Sequence, residues 1–207
     1  MSYLPSPTTS RGVSTRRKIL RAAELEFGES GYHSASISSI TRRAGVAQGT
    51  FYLYFPSKED ALRELVRRMG RELRRFLSSR TEGARDRLEQ ERLGLRAFIE
   101  FARAHPNLYK VVMEAQFVDD CIYREYYETL ATSYAQGLRG AQQRGEVRQG
   151  DAEAQAWALM GIAHFLGLRY AIWREEDPSE QTMEAIYALI ENGLQPRAAK
   201  TPGGDER

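Results

Sequence analysis

The sequence has a single cysteine, Cys121, among its 207 residues. One cysteine excludes an internal disulfide framework and is typical of proteins from a reducing compartment, so we expect a cytoplasmic protein. Long apolar runs are also missing, because no stretch approaches the roughly 18–20 residues needed to span a bilayer. We therefore expect no membrane partner. The segment Met1–Arg11 has a basic end but no apolar core, and we do not expect it to be a signal peptide.

Residues that carry enzyme chemistry are equally scarce. The three histidines, His33, His105 and His164, are scattered and form neither an HExxH motif nor a paired ExxH motif for a metal ion. No nucleophile motif surrounds Cys121, and no glycine-rich phosphate loop precedes a helix. We therefore expect no cofactor and no metal, and a helical-bundle enzyme is the less favoured alternative.

Alternating apolar and polar residues of the kind that form β-strands are absent as well. The periodicity is helical throughout and predicts an all-α protein of about nine helices. The first helix is expected to begin at a Ser14 cap and to end near Gly28–Gly31, the second to begin at a Ser36 cap, and the fourth to begin after Ser57. The later helices are expected at about 85–104, 107–117, 119–144, 151–174 and 178–193.

Charge is distributed unevenly along the chain. Residues 1–80 contain 15 Lys and Arg against 7 Asp and Glu, whereas the remaining 127 residues contain 15 against 21. The overall charge of +2 therefore combines +8 in the first part with −6 in the second. A basic segment joined to a mildly acidic remainder favours a polyanion partner for the first part only.

Two short helices separated by a tight turn are predicted within residues 36–58. The turn is Ala44-Gly45-Val46, where Gly45 suits a left-handed residue at a helix end. Each helix has about eight residues, too few to be stable alone in water, so both must pack on the first helix. This arrangement is a helix-turn-helix, whose second helix can lie in the major groove of DNA.

Cations stand where a helix dipole disfavours them. Arg16, Arg17 and Lys18 are predicted in the first turn of the first helix, and Lys58 in the first turn of the fourth. Such positions make sense if DNA phosphates lie opposite. Because the two placements flank a helix-turn-helix, they favour phosphate contacts.

This region resembles the TetR family of bacterial regulators. The matching motifs are Ile19-Leu20-Arg21-Ala22-Ala23 with Phe27, Gly31-Tyr32, Ser36 to Val46, Gly49 to Phe55, and Ser57 to Leu62. The resemblance covers about residues 14–65 and implies a helix-turn-helix DNA-binding head at 13–60, between a disordered basic arm at 1–12 and a ligand-binding and dimerisation domain at 61–195. Residues 196–207 are expected to form a disordered tail.

The resemblance, together with the placement of the cations, implies which side chains lie at the DNA. They are Arg16, Arg17, Ser36, Ser38, Ser39, Arg43, Gln48, Gly49, Thr50, Tyr52, Tyr54 and Lys58. Glutamine can read an adenine edge with two hydrogen bonds, and hydroxyl groups can reach bases or phosphates. The absence of a side chain at Gly49 lets the backbone approach the groove closely.

The family also implies a homodimer that binds operator double-stranded DNA and releases it when a small hydrophobic ligand binds. The segment 151–174 is apolar nearly all round, which favours burial on more than one side. The resemblance implies that this helix and the last one form the dimer interface. Aromatic side chains and the few polar ones among them could line a ligand pocket. The candidates are Phe98, Phe101, Tyr109, Met113, Phe117, Tyr123, Tyr127, His164 and Arg169. Aromatics at helical spacing also suit a filled core, so a DNA-binding regulator without a small-molecule effector is the second alternative.

Two further runs, Val112–Asp119 and Met160–Tyr170, resemble the branch of TetR regulators that senses acyl-CoA thioesters and controls fatty-acid or phenylacetate breakdown. An acyl-CoA ligand would need basic residues for its phosphates. Arg96, Arg103, Lys110 and Arg169 are the candidates for that role.

Overall fold

The computed structural model describes residues 8–196, and within that range it contains nine α-helices and no strand, which confirms the predicted all-α class. The helices are α1 Ser10–Ser30, α2 Ile37–Ala44, α3 Gln48–Tyr52, α4 Lys58–Thr81, α5 Arg87–Ala104, α6 Pro106–Ala115, α7 Asp120–Gln143, α8 Ala152–Gly167 and α9 Glu180–Leu194. A π-helical segment, Leu168–Trp173, continues α8 directly. No helix in this part of the chain is long and apolar enough to cross a membrane.

The cap of the first helix lies five residues earlier than predicted. Thr9, not Ser14, is its cap: the Thr9 hydroxyl accepts a hydrogen bond from the Gly12 backbone N–H at 3.1 Å. Because α1 starts at Ser10, residues 10–12 are helical and do not belong to an arm. The rest of the predicted arm, up to residue 7, and the predicted tail beyond residue 196 lie outside the described residues.

Capping side chains define most of the later helix starts, as the sequence predicts. Ser57 accepts from the Asp60 backbone N–H at 3.1 Å, which begins α4. Asp151 and Ser179 cap α8 and α9 in the same way. The predicted bounds of the helices after residue 80 agree with the observed ones to within about three residues, apart from 151–174. That segment ends in the π-helical stretch, which a 3.6-residue period does not reveal.

The chain forms two compact units that interleave along the sequence. The first contains the described residues up to Phe76 together with Glu100–Leu130, and the second contains Leu77–Ile99 and the described residues from Ala131 onward. Within the first unit, α1 packs against both α2 and α6. The predicted head at 13–60 therefore shares its compact unit with α6 and with parts of α4, α5 and α7.

Each unit has its own apolar core. Fully buried side chains in the first unit include Phe27, Ile40, Phe51, Leu65 and Val111. In the second unit the core is built mainly from α5, α7, α8 and α9. Its buried members include Leu95, Leu138, Ala156, Met183 and Tyr187.

Candidate nucleic-acid interface

The helix-turn-helix begins with a reciprocally capped helix. The Ser36 hydroxyl accepts from the Ser39 N–H at 2.9 Å, and the Ser39 hydroxyl accepts from the Ser36 N–H at 3.1 Å. At its other end Gly45 adopts φ 68° and ψ 38°, the left-handed conformation predicted for this turn. The Val46 N–H then donates to the Thr41 carbonyl at 3.0 Å, which closes the turn before α3.

The second helix of the motif, α3, is held to the core by one face. Phe51 is fully buried, and its ring centroid lies 5.6 Å from that of buried Phe55. Gln48 and Gly49 are exposed, and Tyr52 is 48% exposed. The face predicted to meet bases is therefore accessible, whereas Thr50 and Tyr54 are half-buried.

Gly49 is not required by the fold. A Cβ built on it would meet no atom within 4 Å, and its backbone is not in the left-handed region. A glycine within a helix costs roughly 0.5–1 kcal/mol of stability relative to alanine. Glycine at this position therefore makes the protein less stable than alanine would. The open space around it supports the prediction that a partner approaches the backbone closely here.

Three serines predicted at the DNA differ in what they do within the protein. Ser36 and Ser39 use their side chains to cap α2 and each other. Ser38 is exposed on the same helix. The capping role gives Ser36 and Ser39 an intramolecular function, and contacts of all three with DNA stay a prediction.

Arg43 and Lys58 are engaged within the protein. The Arg43 guanidinium forms ion pairs with Glu26 and Glu29, each at 2.6 Å. The Lys58 ammonium donates to the carbonyls of Tyr32 and Ala35, at 2.8 and 2.9 Å. These carbonyls explain a cation in the first turn of α4 without any phosphate, so the position of Lys58 alone no longer indicates a DNA contact.

Three further cations do not lie in the first turn of α1, where they were predicted. Because α1 begins at Ser10, Arg16, Arg17 and Lys18 lie beyond its first turn. Arg17 is exposed, whereas the Arg16 guanidinium lies 4.9 Å from the Phe55 ring centroid and 3.7 Å from Glu64. Their proximity to DNA stays a prediction, supported by the basic charge of this part of the chain.

Glu114 makes a contact that the sequence pattern did not reveal. Its carboxylate, on α6, accepts a hydrogen bond of 2.6 Å from the backbone N–H of Tyr32, in the loop between α1 and α2. At the neighbouring Gly31, which has φ 81°, a Cβ would lie 3.1 Å from Glu114 Oε1. Tyr32 in turn accepts from Lys58, so one short loop is bound by both α6 and α4.

A second connection within the first unit joins the starts of α4 and α7. Arg63 donates to Asp119 at 2.5 Å and to Asp60 at 3.0 Å. Burial raises the pKa of the Asp119 carboxyl, but the hydrogen bond and charge of Arg63, together with the backbone N–H groups of Ile122 and Cys121, lower it by more. The ion pair therefore persists at neutral pH.

The side chains predicted to bind a ligand are divided between the two units. Six lie in the first unit: Phe101, Tyr109, Met113, Phe117, Tyr123 and Tyr127. Phe98, His164 and Arg169 belong to the second. Phe117 is 78% exposed in the turn after α6, so its inclusion among pocket-lining residues is wrong.

A tyrosine cluster in the first unit contains Tyr109 of α6 and Tyr123, Tyr126 and Tyr127 of α7. Tyr126 was not among the predicted ligand-binding residues. The ring of Tyr127 lies 4.9 Å from that of Tyr123 and 5.0 Å from that of Tyr126. Burial raises the pKa of the Tyr109, Tyr126 and Tyr127 hydroxyls, which therefore stay protonated and can donate hydrogen bonds.

The polar residues of the second unit that were predicted to contact a ligand lie in different surroundings. Burial lowers the pKa of the His164 imidazole, which is therefore neutral at pH 7. Arg169 is exposed, with its guanidinium 5.6 Å from the Tyr170 ring centroid, and Arg96 already pairs with Glu180 and Tyr187. Among the described residues, no three His, Cys, Asp or Glu side chains are grouped so that they could hold a metal ion.

A capped short helix, a left-handed glycine turn and a second short helix with an accessible face define a DNA-binding protein of the helix-turn-helix class. Residues 19–65 match the family model described as bacterial regulatory proteins, tetR family. The uncharacterized HTH-type transcriptional regulator YdgC of Bacillus subtilis is 28% identical over 189 residues, which cover 87% of this chain and 93% of YdgC. The helix-turn-helix region is therefore similar to that of TetR-family regulators, and the similarity to YdgC extends over most of the chain.

Solved structures share the whole fold. Salmonella enterica GusR superposes with a TM-score of 0.76 at 22% identity and covers 90% of this chain and 98% of its own. The transcriptional regulator FadR from Bacillus subtilis, solved in complex with stearoyl-CoA, has a TM-score of 0.71 at 22% identity and covers 85% of this chain and 95% of its own. At these identities the likeness extends to the fold alone.

Proposed function

We propose that this regulator is a ligand-responsive repressor, which binds operator DNA as a homodimer and releases it when a small hydrophobic effector binds. The observation that carries the proposal is the accessible face of α3, with Gln48, Gly49 and Tyr52 exposed on a helix anchored by buried Phe51. Gln48 has the groups to read an adenine edge, and open Gly49 lets the helix lie deep in the groove.

Dimerisation is supported by apolar surface on the second unit. Phe165 on α8 and Leu189 on α9 are each 65% exposed in the single chain. Small exposed residues accompany them and would let a partner helix approach closely. They are Ala154, Ala158, Ala185 and Ala188. A second copy that covers this face would place two recognition helices on two half-sites, which a single five-residue helix needs for specific binding.

We place the effector beside the tyrosine cluster of the first unit, in contact with Tyr109, Met113, Tyr123 and Tyr127. Aromatic walls and protonated hydroxyl donors suit an apolar chain that carries a carbonyl group. A long-chain acyl-CoA has that chemistry, and the FadR complex with stearoyl-CoA supports the choice because it shares the fold. Lys110, exposed on α6 beside Tyr109, is available for a phosphate of the CoA moiety.

Release follows from a shift between two arrangements of the dimer. The effector must favour the arrangement that does not fit the operator, since equal binding to both would change nothing. Within the first unit, α6 reaches the DNA-binding head through Glu114 and Tyr32, and α4 reaches it through Lys58. A movement of α6 would thus act on the loop that precedes α2. A coupling of 2–3 kcal/mol would weaken operator binding by roughly 30- to 150-fold.

The experiment begins with selection of operator DNA from a random double-stranded library by the full-length protein. Fluorescence anisotropy at fixed salt then measures affinity for the selected sequence, with and without acyl-CoAs from acetyl-CoA to stearoyl-CoA. Free CoA and free fatty acids are the controls for the two parts of the thioester. A promoter that carries the selected sequence, transcribed in vitro, tests repression.

We expect a selected sequence with two-fold symmetry, repression of the promoter, and release by acyl-CoAs of one range of chain length. Gln48→Ala should relax sequence preference, whereas Tyr54→Ala should weaken binding to all DNA and flatten its salt dependence. Selection of no sequence would overturn the proposed function. Tight binding that no thioester reverses would discard the acyl-CoA effector and retain the DNA-binding regulator.

A further inference from the structure

Leu53 is the most exposed large apolar side chain of the DNA-binding head, at 71% exposure. It follows α3 directly and continues its right-handed helical backbone, with φ −71° and ψ −21°. Its neighbours in sequence, Tyr52 and Tyr54, carry hydroxyl groups, whereas Leu53 can offer only apolar contact. Single exposed leucines are common on protein surfaces, so the surroundings of this one decide what it does.

Those surroundings belong to the accessible face of α3. At about 100° per residue, Gln48, Gly49, Tyr52 and Leu53 lie within an arc of about 140°, on the side away from buried Phe51. Leu53 stands one turn beyond Gly49, and residues spaced by four lie one above the other. Because Gly49 has no side chain and open space around it, nothing holds a partner surface away from Leu53.

The chemistry of the major groove then identifies the contact. Base edges there present hydrogen-bond donors and acceptors, and the apolar group among them is the C5-methyl of thymine. We infer that Leu53 reads a thymine methyl in each half-site and so determines part of the operator sequence. This inference rests on the proposed function, since it concerns the same DNA-reading face.

The test uses deoxyuridine, which pairs as thymine does and lacks only the methyl group. Each thymine of the selected operator is replaced singly, and then in both half-sites, and anisotropy at fixed salt gives the affinity of the wild-type protein and of Leu53→Ala. The matched control is Leu93→Ala, another exposed leucine, on α5 of the second unit. Thermal unfolding checks that each variant is folded.

For the wild type and Leu93→Ala we expect one thymine in each half-site whose replacement weakens binding about fourfold, and about 15-fold when both are replaced, as burial of one methyl per site predicts. Leu53→Ala should bind the thymine and uridine versions of that position equally. The inference is overturned, while operator binding stands, if deoxyuridine weakens the binding of Leu53→Ala at the same positions and to the same extent as that of the wild type. It is also overturned if no replacement weakens binding of the wild type. Failure to select any operator would instead overturn the proposed function.

Discussion

Two glycines of the first unit differ in the space that a side chain would have at their positions. At Gly28 on α1, a Cβ would lie 2.4 Å from the Cβ of Asn107 on α6, so the glycine lets the two helices approach. At Gly49 a Cβ would meet nothing within 4 Å, so the fold gains nothing from its absence. The first glycine serves packing, and the second is the one for which we propose close approach of DNA.

This difference predicts opposite effects of alanine. Gly49→Ala should raise the free energy of unfolding by about 0.5–1 kcal/mol, because alanine is the better helix former, yet weaken operator binding. Gly28→Ala should lower the free energy of unfolding by about 1–3 kcal/mol, because α1 and α6 must separate. Urea unfolding at one protein concentration and anisotropy with the operator measure the two quantities. A Gly49→Ala variant that binds DNA as well as the wild type would contradict close backbone approach.

At the scale of single residues, the sequence predicts which residues cap helices, but it does not predict which groups the cations bind. Ser36, Gly45 and Ser57 act as predicted because their roles depend only on the next three or four residues. Arg43 and Lys58 bind partners 14 to 26 positions away in sequence, which no local pattern indicates. Leu53 was not among the predicted DNA-facing residues because an apolar residue beside a helix is expected in the core, and only the fold shows that it is exposed.

Between elements, the proposed release depends most on the contact that joins α6 to the loop before α2. Glu114 supplies the acceptor and the Tyr32 backbone supplies the donor, at 2.6 Å. From the sequence, Glu114 is recognisable only as a polar residue among aromatic residues of a predicted helix. Its partner lies 82 residues earlier, so the role could be found only once α1 and α6 were known to pack together.

If this hydrogen bond transmits the movement of α6, its removal should reduce the response to the effector. For Glu114→Ala we expect the thioester that releases the wild type to weaken operator binding about tenfold less than it does in the wild type. Glu114→Gln keeps an oxygen acceptor and should retain most of the response. Anisotropy with and without the thioester gives both values. An unchanged response in Glu114→Ala would show that the coupling runs elsewhere, for example through Arg63 and Asp119.

The helices themselves were largely predictable because their apolar period and caps are local signals. The exceptions have physical reasons. Thr9 begins α1 ahead of Ser14, and the end of α8 widens for six residues to a π-helix, a stretch too short for the apolar pattern to reveal. Which aromatics line a pocket was not predictable, since Phe117 and Tyr109 fit the same pattern although one is exposed and the other buried.

At the scale of the whole molecule, the exposed apolar face of α8 and α9 supports the proposed dimer. Phe165 and Leu189 contribute little to the core of a single chain because most of each side chain is exposed. A second copy that covers them would remove this apolar surface from water, which stabilises association by roughly 25 cal/mol per Å² of area buried. Substitution at this face should therefore separate dimer formation from folding.

Phe165→Glu tests this separation. The variant should keep its helical circular dichroism, because the side chain lies outside the core, while the dimer dissociation constant rises by at least about 100-fold because a carboxylate is buried without a partner. Operator affinity should fall with it, since two half-sites can no longer be bound together. Phe117→Glu is the matched control: this phenylalanine is 78% exposed in the first unit, and its substitution should leave the dimer intact. Sedimentation equilibrium measures both. A Phe165→Glu protein that remains as firmly dimeric as the wild type would require the interface to lie on another face.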